Sequence, residues 1–302
     1  MNLDHAPAPP KRQTLSYLRE LFAERGLRPK NKLGQNFLID LNLLDVLLRG
    51  AELTRDDLAV EVGAGTGSLT SLLADHAGAV FSIEIDPNFY ELASETVAGR
   101  ERVRLVNLDI LKNKNHLNPG VLEQLREWQG RCHCVRLKLV ANLPYAVATP
   151  VISNFLLSDL PFERMVVTVQ WEIGEKLIAV PGTKAYGALA VLVQSVADIE
   201  MLRQLPPSVF WPRPKVSSAI MCIRPNSVKH AHVGDVQRFR NFLRDLYSHR
   251  RKNLRGALIG FPSGRMEKSY VDQRLAELGL DGTVRAEMLH IEQHLRLCAV
   301  FG

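Results

Sequence analysis

At 302 residues, the chain is long enough for two domains at roughly 150 residues each. Apolar residues make up 46% and charged residues 23%, proportions that exclude a disordered, collagen-like or coiled-coil chain. The 38 Lys and Arg outnumber the 32 Asp and Glu, for a net charge of +6, which favours a polyanionic partner without requiring one.

Residues 1–13 are rich in proline and polar side chains and are expected to be disordered. The spacing of Leu15, Leu18, Leu21 and Phe22 predicts a helix ending near Gly26 and Pro29, with residues 31–38 following as a loop. A second helix is predicted from Asp40 toward Arg49, with Leu43, Leu44, Leu47 and Leu48 on its apolar side.

From Leu58 the period changes. Residues 58–62 read as a buried strand, 63–67 as a turn, 68–75 as a helix and 79–84 as a second strand. A helix over 88–97 has Asp86 as its cap and Pro87 in its first turn, and 103–106 is the next strand. Loop and helix are expected over 111–131, then a strand over 137–140 that ends at Asn142-Leu143-Pro144-Tyr145. Phe155, Leu156 and Phe162 read as core, 165–169 as a strand and 172–179 as a helix. Residues 190–196 fit either strand or helix, and 218–223 a strand. Strands alternating with helices mean an α/β fold with a parallel sheet covered on both faces.

A polar break over 225–234 is the expected domain boundary. The predicted division is an N-terminal extension and first helix (1–30), an α/β domain (31–225) and a small all-α C-terminal domain (235–302). The last segment is basic, with Arg238, Arg240, Arg244, Arg250, Arg251, Lys252 and Arg255. No internal repeat is visible.

Cys132-His133-Cys134 is too tight for a zinc site and has no second pair, so no metal is expected. The N-terminal segment lacks the apolar run of a signal peptide, and no apolar stretch approaches ~18 residues. The expectation is a cytoplasmic protein with reduced thiols and no membrane partner.

Glu61-Val62-Gly63-Ala64-Gly65-Thr66-Gly67 sits at a strand-to-helix turn, where glycines admit a ligand that a Cβ would exclude. The next strand ends in Glu84-Ile85-Asp86, and a carboxylate there can accept both hydrogen bonds of a ribose diol. A nucleoside-containing cofactor at the carboxyl edge of the sheet follows. Dinucleotide sites use GxGxxG, whereas the glycines here read GxGxG after an acid, a pattern that resembles S-adenosylmethionine-dependent methyltransferases. NAD is the alternative at this point. Asp109 is placed either to accept from an adenine amine, with Ile85 and Ile110 sandwiching the ring, or to cap a helix.

Asn142-Leu143-Pro144-Tyr145 supplies an amide, a fixed kink and an aromatic ring at the end of a strand. Methylation of an exocyclic amine needs such a set. The adenine amine is a poor nucleophile because its lone pair is delocalised, and two acceptors on its hydrogens direct that pair toward a methyl donor. The expected acceptors are the Asn142 side-chain oxygen and the Leu143 carbonyl, with Pro144 fixing the turn and Tyr145 stacking on a flipped-out base.

These motifs, with Asn31-Lys32-Leu33-Gly34-Gln35-Asn36-Phe37-Leu38, Lys184-Ala185-Tyr186-Gly187, Pro206-Pro207-Ser208-Val209-Phe210, Pro212-Arg213-Pro214-Lys215-Val216 and Arg250-Arg251-Lys252, resemble the small-subunit ribosomal RNA adenine dimethyltransferases. The resemblance implies a Rossmann-like methyltransferase domain and a small helical domain. It further implies S-adenosylmethionine-dependent dimethylation of two adjacent adenosines in a hairpin loop near the 3′ end of small-subunit RNA.

Carried over by motif, Asn36 and Leu38 would line the methionine part of the cofactor. Gly63 would give a backbone contact, Glu84 would meet its ribose and Asp109 its adenine; Gly65, Ile85 and Ile110 are further candidate cofactor-binding residues. Asn142 would face both cofactor and target. For Gln35 and Asn36 the alternative is loop capping. The chain departs from the family in Ala146-Val147-Ala148-Thr149-Pro150, where Asn-Ile-Ser-Thr-Pro is usual, and at Trp171 and Trp211.

Arg250, Arg251, Lys252 and Arg255 are the expected RNA grip, with Tyr247 and His249 interleaving rings among the charges. A monomer acting on the small subunit or its precursor is expected. Rival readings are a large-subunit adenine methyltransferase of the macrolide-resistance type and a non-catalytic assembly factor. The first generally has Ile where Leu143 stands, and the second would not need Glu84, Asp109 and Asn142 together.

Overall fold

The computed structural model describes residues 14–30, 33–249, 251–261 and 264–302. The proline-rich first 13 residues lie outside these, as do Asn31, Lys32 and Arg250 of the motifs above.

The chain opens with α1 (Leu15–Glu24), β1 (Phe37–Leu38), α2 (Leu41–Ala51), β2 (Asp57–Val62), α3 (Ser68–His76), β3 (Ala79–Glu84), α4 (Pro87–Thr96) and β4 (Val103–Asn107). It continues through β5 (Leu111–Asn113), β6 (His116–Leu117), α5 (Pro119–Cys132), β7 (Arg136–Asn142), α6 (Ala148–Leu156), β8 (Phe162–Gln170), α7 (Trp171–Leu177) and α8 (Ala188–Gln194). Then come β9 (Ala197–Leu205), β10 (Phe210–Trp211), β11 (Ser218–Pro225) and the helices α9 (Ser227–Val233), α10 (Val236–Ser248), α11 (Leu254–Ile259), α12 (Lys268–Glu277) and α13 (Ile291–Phe301).

Seven strands form one sheet in the order β4-β3-β2-β7-β8-β11-β9. β2 pairs in parallel with both β3 and β7, and the parallel pairing extends to β4 on one side and β8 on the other. Helices flank the sheet: α2 packs against β7 and β8, and α3, α4 and α5 against β3. β2 and β3 are buried along their whole length, as their unbroken apolar runs require of central parallel strands. Between β2 and β7 the order of the strands reverses, and at such a point the connections diverge and leave a crevice at the carboxyl edge.

The two edges of the sheet treat charge differently. At the amino edge the carboxylate of Asp57 is fully buried and compensated by Arg136 Nε (2.7 Å), Lys138 Nζ (3.1 Å) and the Thr54 N–H (2.7 Å). At the carboxyl edge Glu61 and Glu84 are also buried, and among the described residues neither has a cationic partner.

Several local expectations meet their caps. Asp40 accepts from Asn42 N–H (3.0 Å) at the start of α2, and Asp86 from Asn88 N–H (3.1 Å) at the start of α4. Other segments differ. Of residues 190–196, the first five belong to the helix α8 and the last two to a turn, none to a strand, and the strand β9 follows unannounced. The polar break over 225–234 contains the helix α9, whose N-cap Asn226 accepts from Val228 and Lys229 N–H, both at 3.1 Å. Residues 37–38, expected within a loop, pair with β10 as a two-residue ladder.

The chain divides into two compact units. The first comprises residues up to Val151 with Leu160–Gln170 and Leu202–Cys222; the second gathers Ile152–Asp159, Trp171–Met201 and Ile223–Gly302. The second unit is thus discontinuous, and it adds earlier segments to the helical stretch placed at 235–302 from the sequence. Within it α10 packs against α8, α9, α11 and α13, burying Phe239, Phe242, Leu243 and Leu246.

Four of the arginines read as a basic face have partners inside this unit, Arg244 and Arg255 pairing with Asp245 and Asp272. Arg238 Nη2 donates to Gly302 O (2.9 Å) and Arg240 Nη1 to Asn154 Oδ1 (2.8 Å). Tyr247, expected among the RNA-facing rings, instead stacks on buried His294 at 5.9 Å between centroids, with its hydroxyl 3.1 Å from His294 Nε2. His249 Nε2 lies 2.9 Å from Gly260 O.

Candidate active site

The crevice at the strand reversal is a cavity of about 1170 Å³ including the space open to solvent. Its lining comes from the ends of β2, β3 and β7, the segment after β4, and residues 33–38 of the strap before α2. Asn36, Leu38, Gly63, Gly65, Glu84, Ile85, Asp109, Ile110 and Asn142 all line it. Chain positions more than a hundred residues apart are brought together because parallel strands deliver their carboxyl ends to one edge.

The first turn is shaped by glycine. Gly63 has φ +88°, and a Cβ there would stand 3.0 Å from Pro144 Cγ. Gly65 has φ +57°, and its Cβ would stand 3.0 Å from Phe37 Cε1. One glycine therefore admits the Asn142–Tyr145 turn and the other admits the strap, both in a backbone region that side chains rarely adopt.

Glu84 organises this turn. Its Oε2 accepts from Gly65 N–H (2.8 Å) and its Oε1 from Asp86 N–H (2.9 Å). Each carboxylate oxygen keeps a further lone pair for a diol. Burial raises the Glu84 pKa, helped by the nearby Asp86 charge and opposed by the backbone N–H groups of Asp86, Gly65 and Ile85. Ile85, next in chain, is 42% exposed while Ile110 is buried, so an apolar surface is left open within the cavity. Asp109 Oδ1 accepts from Leu111 N–H (2.9 Å), which makes it the pivot of a turn and not a helix cap.

Glu61 is the residue whose role the motif understates. Its Oε2 accepts from Thr70 Oγ1 (2.5 Å) and Ser82 Oγ (2.6 Å) at the floor of the cavity. Burial pushes its carboxyl up to about 7, the two hydroxyls pull it down, and nearby Glu84 adds to the rise. The acid immediately before the glycines was the signal for it. Together Glu61, Glu84 and Asp109 give the cavity three carboxylates, and among the described lining residues there is no Lys, Arg or His.

At the end of β7, Asn142 Nδ2 donates to Asn36 O (2.8 Å). Only the amide nitrogen can make that bond, so the side-chain oxygen is turned to the other side as an acceptor. The Pro144 carbonyl is taken by Val147 N–H (3.0 Å), while the Leu143 carbonyl has no such donor among the described residues. The Leu143 side chain is buried, and neither Leu143 nor Tyr145 is among the residues that line the cavity. Tyr145 is half-buried, its hydroxyl 2.6 Å from Ser218 Oγ and its ring edge-on to Phe210 at 6.5 Å.

The strap is tied down at several points. Gln35 Oε1 accepts from Lys30 N–H (2.7 Å), Gln35 Nε2 donates to Asp86 Oδ2 (3.3 Å), and Lys30 Nζ pairs with the same carboxylate (2.8 Å). Asn36 Nδ2 reaches Gly34 O (3.2 Å). Phe37 packs edge-on against Phe22 of α1 at 5.2 Å and at a tilt of 40° against Phe89 at 5.1 Å. Loop capping by Gln35 and a cavity-lining place for Asn36 are therefore both present.

A family model described as "Ribosomal RNA adenine dimethylase" matches residues 26–300. The chain belongs to that family. Relatives named "Ribosomal RNA small subunit methyltransferase A" include one from Moorella thermoacetica, 38% identical over 90% of this chain and 92% of that one. Another, from Halothermothrix orenii, is 35% identical over 91% of this chain and 88% of its own. The fold is shared with a dimethyladenosine transferase from Plasmodium falciparum, at TM-score 0.68 and 22% identity over 85% of this chain and 94% of that one. It is also shared with the 23S rRNA methyltransferase ErmE, at TM-score 0.60 and 25% identity over 88% and 99%.

Among the basic residues expected to grip RNA, this dimethylase exposes Arg251 and Lys252 in the segment between α10 and α11. Arg255 is ion-paired with Asp272. No helix among the described residues is long and apolar enough to cross a membrane, and none of their His, Cys, Asp and Glu side chains cluster in threes suited to a metal ion.

Proposed function

We propose that the cavity binds S-adenosylmethionine and that the enzyme dimethylates two adjacent adenosines in a hairpin loop near the 3′ end of small-subunit ribosomal RNA. The observation that carries the cofactor is the charge of the lining. A dinucleotide brings a pyrophosphate, which three carboxylates without a described cation repel, whereas a sulfonium and an ammonium are attracted. Glu84 holds the ribose diol, Asp109 the adenine amine, and Ile85 and Ile110 enclose the ring.

When bound, the sulfonium supplies an activated methyl group, so no strong base is required. The Asn142 side-chain oxygen and the Leu143 carbonyl accept the two hydrogens of the target amine and localise its lone pair. The Gly63–Pro144 contact keeps those acceptors against the cofactor turn, and the Tyr145 ring stacks on the extruded base. Dimethylation fits this arrangement, because a monomethylated amine still offers one hydrogen to hold and one lone pair to direct.

The direct test is transfer of labelled methyl groups to unmethylated small ribosomal subunits, with nuclease digestion and mass spectrometry to locate and count the products. Dimethyladenosine at two neighbouring positions near the 3′ end is expected. Transfer only to large-subunit RNA would select the rival substrate, and salt-sensitive binding without transfer would select an assembly role.

Two further outcomes follow from the charges. Affinity for the cationic cofactor should rise as pH rises through about 7, because the cation favours the ionised form of Glu61, and should level off above it. Titration calorimetry at pH 6 and pH 8 measures this, and Glu61→Gln should flatten the difference. Arg251→Ala and Lys252→Ala should each weaken RNA binding while lowering the slope of log affinity against log salt by about 0.7. A filter-binding series in salt reads that slope.

A further inference from the structure

Residues 212–217 join β10 to β11 and carry Arg213 and Lys215, both exposed. Neither side chain has an ion pair or hydrogen bond among the described residues, unlike Arg136 and Arg164 of the same sheet, which pair with Asp57 and Glu52. Unpaired cations are the usual state of a surface lysine. What distinguishes these two is where the ends of their loop are fixed.

At one end Phe210 and Trp211 pair with Leu38 and Phe37, and both of those strap residues line the cavity. At the other end Ser218 is buried and holds the Tyr145 hydroxyl at 2.6 Å. The loop is thereby pinned on one side to the strap and on the other to the Asn142–Tyr145 turn. Pro212 and Pro214 flank Arg213, removing two backbone donors and restricting the chain, so the charges are displayed from a stiff support.

The same carboxylates that suit a cationic cofactor create a field that opposes an approaching RNA strand. A nucleotide delivered to Asn142 must bring its own phosphates to this acidic mouth, and nearby cations have to offset the repulsion. We propose that Arg213 and Lys215 hold the phosphates flanking the target adenosine and so position it at the Asn142–Tyr145 turn. The inference rests on the RNA reading above and adds a binding role on the catalytic unit itself, separate from Arg251 and Lys252.

The test compares wild type with R213A/K215A on unmethylated small subunits. The KM for subunits should rise about tenfold with kcat within about twofold, and the salt slope of binding should fall by about 1.4, two single-strand phosphates' worth. Affinity for S-adenosylmethionine, followed by tryptophan fluorescence, should stay within about twofold. R213K/K215R, which keeps both charges, should restore the wild-type KM.

Wild-type transfer with an unchanged KM and salt slope in the alanine variant overturns the proposal. So does a loss of cofactor affinity that matches the loss of activity, since that would make the loop a brace for the strap. Absence of transfer by the wild type would remove the underlying reading, and this one with it.

Discussion

Asn142→Ala should lower methyl transfer by on the order of 10²–10³-fold while subunit affinity changes little, the scale expected when one oriented polar group is removed from a reacting centre. The size follows from orientation. The amide nitrogen is fixed on Asn36 O at 2.8 Å, so the oxygen presents its lone pairs without rotation at the moment of reaction. Asn142→Asp keeps acceptor oxygens but loses the donor to Asn36, and should fall between wild type and alanine. Single-turnover kinetics on prebound subunits separates this loss from binding. Full turnover by Asn142→Ala would end the two-acceptor account.

Glu84→Ala should cost about 10²–10⁴-fold in cofactor affinity. Two hydrogen bonds from a diol to an ionised group contribute about 1.5–3 kcal/mol each. The variant also strips the Gly65 and Asp86 N–H groups of their shared acceptor, so the glycine turn loses its brace as well as its ligand. Equilibrium dialysis with labelled cofactor measures the change. A loss below about threefold would mean that the ribose is held elsewhere.

The candidate site was legible in the sequence because the fold is regular where its residues converge on one cavity. Glu84 and Asn142 end the strong apolar strands β3 and β7, Asp109 stands two residues past β4, and strands in parallel register place such residues side by side whatever their separation in the chain. The strap was harder to read. A ladder of two residues, Phe37–Leu38 with Phe210–Trp211, is too short to show alternation. β9 has only its two end residues buried, so it lacks the pattern that identifies β8.

The second unit misled for a different reason. Charge counts in sequence cannot tell a cation facing solvent from one satisfying a carbonyl. Arg238 and Arg240 are of the latter kind, and Tyr247 is held by His294, a residue whose chain position gave no hint of the contact. α9 exposes most of its length and buries no residue, which is why its polar sequence reads as a break between domains.

The way the strap is fastened bears on the rhythm of the reaction. Two dimethylated adenosines consume four methyl donors, so spent cofactor must leave and fresh cofactor arrive three times between the first transfer and the last. One wall of the cavity is the strap, held by a two-residue ladder, the Lys30–Asp86 ion pair, the packing of Phe37 on Phe22 and Phe89 and a few side-chain hydrogen bonds, none of them part of the central sheet. The opposite walls are strands of the central sheet. Opening follows the least protected segment, so cofactor exchange can proceed by release of the strap while the sheet and the Asn142–Tyr145 turn stay in place. An RNA held by its phosphates could then remain on the enzyme through successive refills, and the number of methyls added per encounter would depend on strap release relative to RNA departure.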